Sequence, residues 1–130
     1  EISPRMMRDL SKLSELRPGL IPVLGDARKP TVISPYLRDK VDWIHQDISV
    51  ADQTQSFLKI SGIFLKPEGI GLLSLKAASE RWIEGGDDSR FKEAEKLINL
   101  NKNLTLLENI DISHFESQHR IFVVKKLDMV

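Results

Sequence analysis

The feature that most constrains this chain is an alternation. Short apolar runs of strand length are separated by longer segments whose apolar residues recur at helical spacing. Ser3-Pro4 predicts a helix start, with serine as N-cap and proline in the first turn. Met6, Leu10, Leu13 and Leu16 then form one apolar stripe, stopped by Arg17-Pro18-Gly19. Leu20 to Leu24 predicts a strand closed by Gly25-Asp26, and Val41 to His45 a second one ending at Gln46-Asp47. A helix follows from about Ala51 to Leu65, with Phe57, Ile60 and Phe64 on one face. Lys66-Pro67-Glu68-Gly69 reads as a turn, and Ile70 to Leu75 as a third strand ending at Lys76. After the loop Gly85-Gly86-Asp87-Asp88, the residues Phe91, Ala94, Leu97 and Ile98 mark a third helix. Leu104 to Leu107 and Ile121 to Lys125 are two closing strands, joined by the polar segment Asp111–His119.

Strands alternating with helices imply βαβ units and an α/β fold with a largely parallel sheet. The last two strands have no helix between them, so they are expected to pair antiparallel at one edge. At 130 residues the chain has the size of one domain, and 41% hydrophobic against 29% charged residues is a globular balance. With no cysteine there are no disulfides, thiolate metal sites or cysteine nucleophile. The three histidines, His45, His114 and His119, offer no helical i, i+4 pair for zinc. No apolar run reaches the length of about 20 residues that spans a bilayer, so no membrane partner is expected. The opening Glu1-Ile2-Ser3-Pro4 has no methionine, an abrupt start expected of a piece of a longer protein.

In open α/β sheets ligands bind beyond the carboxyl ends of the strands. Those positions hold Glu1, Asp26, Asp47 and Lys76. Any one of them can be a solvated loop residue or a helix cap, but four at successive strand ends point to one rim. An acidic residue at Glu1 suits both hydroxyls of a ribose, and Asp26, one unit on, suits an adenine amino group. Asp47 and Lys76 form either a pair that orients a hydroxyl and assists its deprotonation or a salt bridge between two loops. His119 reads as a structural hydrogen-bonding residue, and His45 and Trp43 as packed within a strand. Trp82 is a candidate interface or RNA contact, while Arg28 and Lys29 are by default solvated loop charges.

Several ordered blocks carry a more specific resemblance. Glu1-Ile2-Ser3-Pro4-Arg5, Ile21 to Pro30 (IPVLGDARKP), Val41 to Asp47 (VDWIHQD) and Gly69 to Lys76 (GIGLLSLK) resemble fibrillarin in order and spacing. Phe115 to Val124 (FESQHRIFVV) is similar to that family's closing segment. The resemblance covers essentially the whole chain. It implies a class I methyltransferase, a Rossmann-like parallel sheet with an antiparallel edge strand, incomplete at its N-terminus. Residues 1–130 are then one partial methyltransferase domain.

By the same resemblance the chain belongs to an enzyme that transfers a methyl group from S-adenosylmethionine to ribose 2′-hydroxyls of rRNA, with tRNA as a second substrate. Box C/D guide RNA would direct it to target RNA. The implied partners are a scaffold protein carrying a Nop domain and the particle's kink-turn-binding protein. Asp47 and Lys76 match the family's catalytic aspartate and lysine. The family's further catalytic lysine lies upstream and has no counterpart here, and neither does its glycine-rich cofactor loop. Glu1, Ile2, Asp26, Ala27, Asp47 and Val50 fall at cofactor-binding positions, and no metal is implied. The implied location is the cytoplasm of an archaeon, or the nucleolus if the source is eukaryotic.

Ile2 replaces a phenylalanine that packs on the adenine, keeping apolar contact and losing aromatic stacking. Val50 replaces a glutamine that helps hold the cofactor, whereas Gln53 retains the second glutamine of that block. Gln118 stands where an aspartate is common. These departures keep open a catalytically impaired paralogue serving as a structural subunit of an RNA–protein particle. A small-molecule methyltransferase with the same rim is a third reading. The formal net charge is zero, with eight Lys/Arg against five Asp/Glu in residues 1–40 and three acidic but no basic residues in 103–119. This piece alone is expected to bind RNA weakly, with most phosphate contacts coming from elsewhere.

Overall fold

The structure, a computed structural model, describes residues 1–81 and 83–128. It divides into two compact units, Glu1–Arg38 and Asp39–Val130. Trp82 lies outside the described residues.

In Glu1–Arg38 the main element is α1 (Pro4–Leu16). The Ser3 hydroxyl accepts the Met6 N–H at 3.3 Å, and Pro4 opens the first turn, where no backbone donor is needed. The helix ends as predicted: Arg17, preceding Pro18, turns extended, and Gly19 takes φ +89°. A short helix α2 (Pro30–Ile33) runs into a 3-10 turn at Ser34–Tyr36. A Cβ at Gly25 would lie 2.6 Å from Val32 Cγ1, so a side chain there would force Val32 to shift. The expected strand Leu20–Leu24 is not formed. Among the described residues Glu1 alone pairs with this run: its backbone nitrogen donates to the Val23 carbonyl at 2.9 Å, and the Gly25 N–H donates to the Glu1 carbonyl at 3.0 Å. That is a single parallel bridge, too short for a strand. No residue of 1–38 is buried, and in the α1 stripe Met6, Leu13 and Leu16 are all exposed, Leu16 the most at 80%.

In Asp39–Val130 a four-stranded sheet has the order β1-β2-β4-β3, from β1 (Val41–Gln46), β2 (Leu65–Lys76), β3 (Leu104–Asp111) and β4 (His119–Lys126). Helix α3 (Gln53–Phe64) crosses from β1 to β2, which pair parallel, and α4 (Asp87–Leu100) leads to β3. The class is α/β as expected, but two of the three pairings, β2–β4 and β3–β4, are antiparallel. The reversed strand β4 lies inside the sheet, and β3 forms the edge. A direct β3–β4 connection forces the reversal, because parallel neighbours need a crossover. The predicted turn Lys66–Gly69 lies within β2 as a bulge. Val41 pairs with Leu65 and Trp43 with Ile70, and Glu68 takes φ +70° where the extra residues are absorbed.

One face of the sheet carries the core. Phe57 of α3 and Phe91, Ala94 and Ile98 of α4 pack on Leu73, Leu75, Phe122 and Val124. Gly71 lets the Phe57 ring lie on the strand, since a Cβ there would sit 3.0 Å from the ring edge. The other face is less covered. Trp43 is 58% exposed and His45 is also exposed, so neither is the packed strand residue expected. Among the described residues β1 pairs only with β2, and the pleat turns residues 43 and 45 away from the helices.

Candidate functional site

The two units each place part of the predicted rim. In Glu1–Arg38, the bridge to residues 23–25 sets Glu1 beside the chain that runs into Asp26. One oxygen of the Glu1 carboxylate accepts the Ser3 N–H at 2.9 Å, and the other has no partner among the described residues. Ile2 beside it is 68% exposed. Asp26 is held by Arg28, whose backbone N–H donates at 2.9 Å and whose Nη2 lies 2.8 Å from Oδ2. The guanidinium hydrogen bond, then that of the Arg28 N–H, outweigh partial desolvation and bring the carboxyl from 3.8 down to about 2. Arg28 is therefore an ion-pair partner of Asp26 and not only a loop charge. This stretch thus offers one further acceptor oxygen on Glu1, an exposed isoleucine, an ion-paired carboxylate on Asp26 and an exposed Ala27.

In the second unit, Asp47 follows the last residue of β1 and Lys76 is the last residue of β2. These strands are parallel neighbours, so both residues lie at the same sheet end. On the less covered face His45 Nε2 lies 2.9 Å from Ser74 Oγ, and the period of two carries Lys76, within β2, to that side. Asp47 is exposed and Lys76 half-buried, and no ion pair within 4.0 Å joins them among the described residues. Val50, half-covered, stands in the segment between β1 and α3.

Behind Lys76 lies a buried polar network. Its backbone N–H donates to Gln53 Oε1 at 3.1 Å, and its carbonyl accepts from Gln53 Nε2 at 3.0 Å. Gln46 Nε2 donates to the Gln53 carbonyl at 2.9 Å. The carboxylate of Glu80 accepts the N–H groups of Gln53 and Thr54, each at 3.0 Å. Gln53 and Glu80 are fully buried. Sequence reasoning missed Glu80, which is 26 residues from Thr54 in the chain and carries no local signature of a cap. His119 pairs in register with Lys76, and its Nδ1 donates to the Ser117 carbonyl at 2.8 Å. Among the described residues no helix is long and apolar enough to cross a membrane, and no cluster of three or more His, Asp or Glu could hold a metal ion.

Comparison with known proteins adds the following. A family model described as Fibrillarin matches residues 1–128. The chain is 34% identical over 126 residues to the fibrillarin-like rRNA/tRNA 2′-O-methyltransferase of Thermococcus onnurineus, covering 97% of this chain and 54% of that protein. It thus spans about half the length of the curated relatives it matches. Among solved structures it is similar to fibrillarin in a fibrillarin/Nop5p complex, with a TM-score of 0.87 and 25% identity, covering 98% of this chain and 59% of that one. It also shares its fold with Aeropyrum pernix fibrillarin, a structure with natively bound S-adenosyl-L-methionine, at a TM-score of 0.75 and 24% identity, covering 95% and 53%.

Proposed function

The chain belongs to the fibrillarin family, and from that premise we propose that it is part of an S-adenosylmethionine-dependent enzyme that methylates ribose 2′-hydroxyls of rRNA and tRNA. The observation that carries the reading is the position of Asp47 and Lys76 at the ends of two adjacent parallel strands. When bound, the cofactor supplies a methyl group on a sulfonium that is already electrophilic. The protein then has mainly to align a 2′-oxygen. Lys76 Nζ does this at the reacting oxygen: as an ammonium it stabilises developing alkoxide charge, and as an amine it accepts the proton. Asp47, at the neighbouring strand end, orients it. Glu1, Ile2, Asp26 and Ala27 are the residues that would hold the nucleoside of the cofactor, and Asp47 and Val50 would be its further binding residues.

The assembled particle contains a Nop-domain scaffold, as the fibrillarin/Nop5p complex supports. Box C/D guide RNA selects the target, and a kink-turn-binding protein anchors that guide. In an archaeal cell this work is cytoplasmic. With zero net charge, the chain leaves most phosphate neutralisation to those partners. Lys76→Ala in the full-length protein within its particle is expected to lower methyl transfer by about 10²–10⁴-fold with cofactor affinity nearly unchanged. Retained turnover overturns the assignment. Val50, apolar where the family has a glutamine, favours a second reading, a structural subunit that does not methylate. Calorimetric titration of the intact protein with S-adenosylmethionine separates the two, since a scaffold of that kind gives no heat of binding.

A further inference from the structure

Lys76 ends β2 three residues past Leu73, the last position that pairs with β1. On that side its backbone has no strand neighbour, and the Gln53 side chain supplies one. The amide presents its oxygen to the Lys76 N–H and its nitrogen to the Lys76 carbonyl, at 3.1 and 3.0 Å, as a backbone peptide would. Both ends of this amide are directed at one residue, in a fully buried setting. Gln53 is itself held from three directions. Its carbonyl accepts from Gln46, its side chain is locked on Lys76, and its N–H donates to Glu80. Helix α3 has no cap of its own, because Asp52 at the N-cap position makes no capping bond. The Glu80 carboxylate takes that role from beyond β2, meeting two of the four orphan donors of the first turn where the helix dipole favours an anion.

We propose that Gln53 and Glu80 are positioning residues for Lys76, acting as one unit that fixes where its amine stands at the end of the sheet. The proposal rests on the reading of Lys76 as catalytic. It gives Gln53 a structural task at the site in place of a contact with the cofactor. A buried amide spent on the lysine backbone changes the alignment of the reacting groups and leaves cofactor binding alone. Misplacement by about 1 Å at such a site lowers the rate on the order of 10²-fold.

The test uses the full-length protein in its assembled particle, with Gln53→Met, Glu80→Gln and the double variant. Single-turnover methyl transfer at saturating cofactor and RNA is expected to fall on the order of 10²-fold for Gln53→Met and less for Glu80→Gln. Cofactor Kd stays within about twofold. The double variant is no slower than Gln53→Met alone, because both act through one lysine. Amide hydrogen exchange gives a second readout that needs no turnover. The Lys76 amide loses protection in Gln53→Met while Leu73 and Leu75 keep theirs. Losses that add in the double variant, or that follow cofactor Kd, overturn the proposal, as does unchanged Lys76 exchange. If Lys76→Ala retains activity while the exchange result holds, the catalytic reading fails and the positioning network stands.

Discussion

The two units hold their chemistry-bearing residues by opposite means. In Glu1–Arg38 no residue is buried, and the two carboxylates accept from neighbours in sequence, Glu1 from the Ser3 N–H and Asp26 from Arg28, while the Glu1 backbone pairs with Val23 and Gly25. In Asp39–Val130 the rim stands on a core: the Lys76 backbone is held by Gln53, 23 residues away, and Gln53 in turn by Glu80, 27 residues from it. The carboxylate contacts of the first are coded locally. Those of the second exist only once α3 lies against the end of β2.

That contrast can be broken by stability measurements on the full-length protein. Phe57→Ala removes a fully buried ring from between α3 and the sheet and is expected to cost about 3–5 kcal/mol in denaturant unfolding. A loss under 1 kcal/mol would mean that the helix face is not the core. Ser3→Ala removes only the α1 cap and is expected to cost about 1 kcal/mol. A loss as large as that of Phe57→Ala would erase the difference between the units.

The smallest effect sharpens the comparison through pH. Asp26 titrates at about 2 against an ordinary 3.8, so its contribution is complete above the ordinary value and disappears as pH falls from about 4 through about 2. Carboxyl-carbon NMR should find this midpoint, and Arg28→Ala should raise it toward 3.8. A midpoint unmoved by Arg28→Ala would show that the two-residue contact does not hold Asp26.

The same contrast explains what was legible in the sequence. The α1 cap and stop, the strand ending at Gln46, α3, α4 and the two closing strands follow from local spacing and turn chemistry. Lys66–Gly69 did carry turn residues, yet the chain continues in the same direction on either side, so they became a bulge within β2. Leu20–Leu24 had the composition of a strand, and among the described residues it pairs with Glu1 alone. Trp43 had the look of core, and its exposure shows that strand patterning does not reveal which face a residue will take. Glu80 was invisible because its partners exist only after β2 has returned alongside β1.

The central claim is a division of labour, in which Glu1 belongs to binding and Lys76 to chemistry. It is tested most directly by single-turnover methylation as a function of S-adenosylmethionine concentration, comparing Glu1→Gln with Lys76→Ala in the assembled, full-length particle. Loss of a charged hydrogen-bond acceptor in Glu1→Gln is expected to raise the half-saturating concentration by about 10–100-fold and leave the plateau rate unchanged. Lys76→Ala is expected to lower the plateau by about 10²–10⁴-fold and leave the half-saturating concentration unchanged. A plateau that survives Lys76→Ala, or one that collapses in Glu1→Gln, contradicts the account.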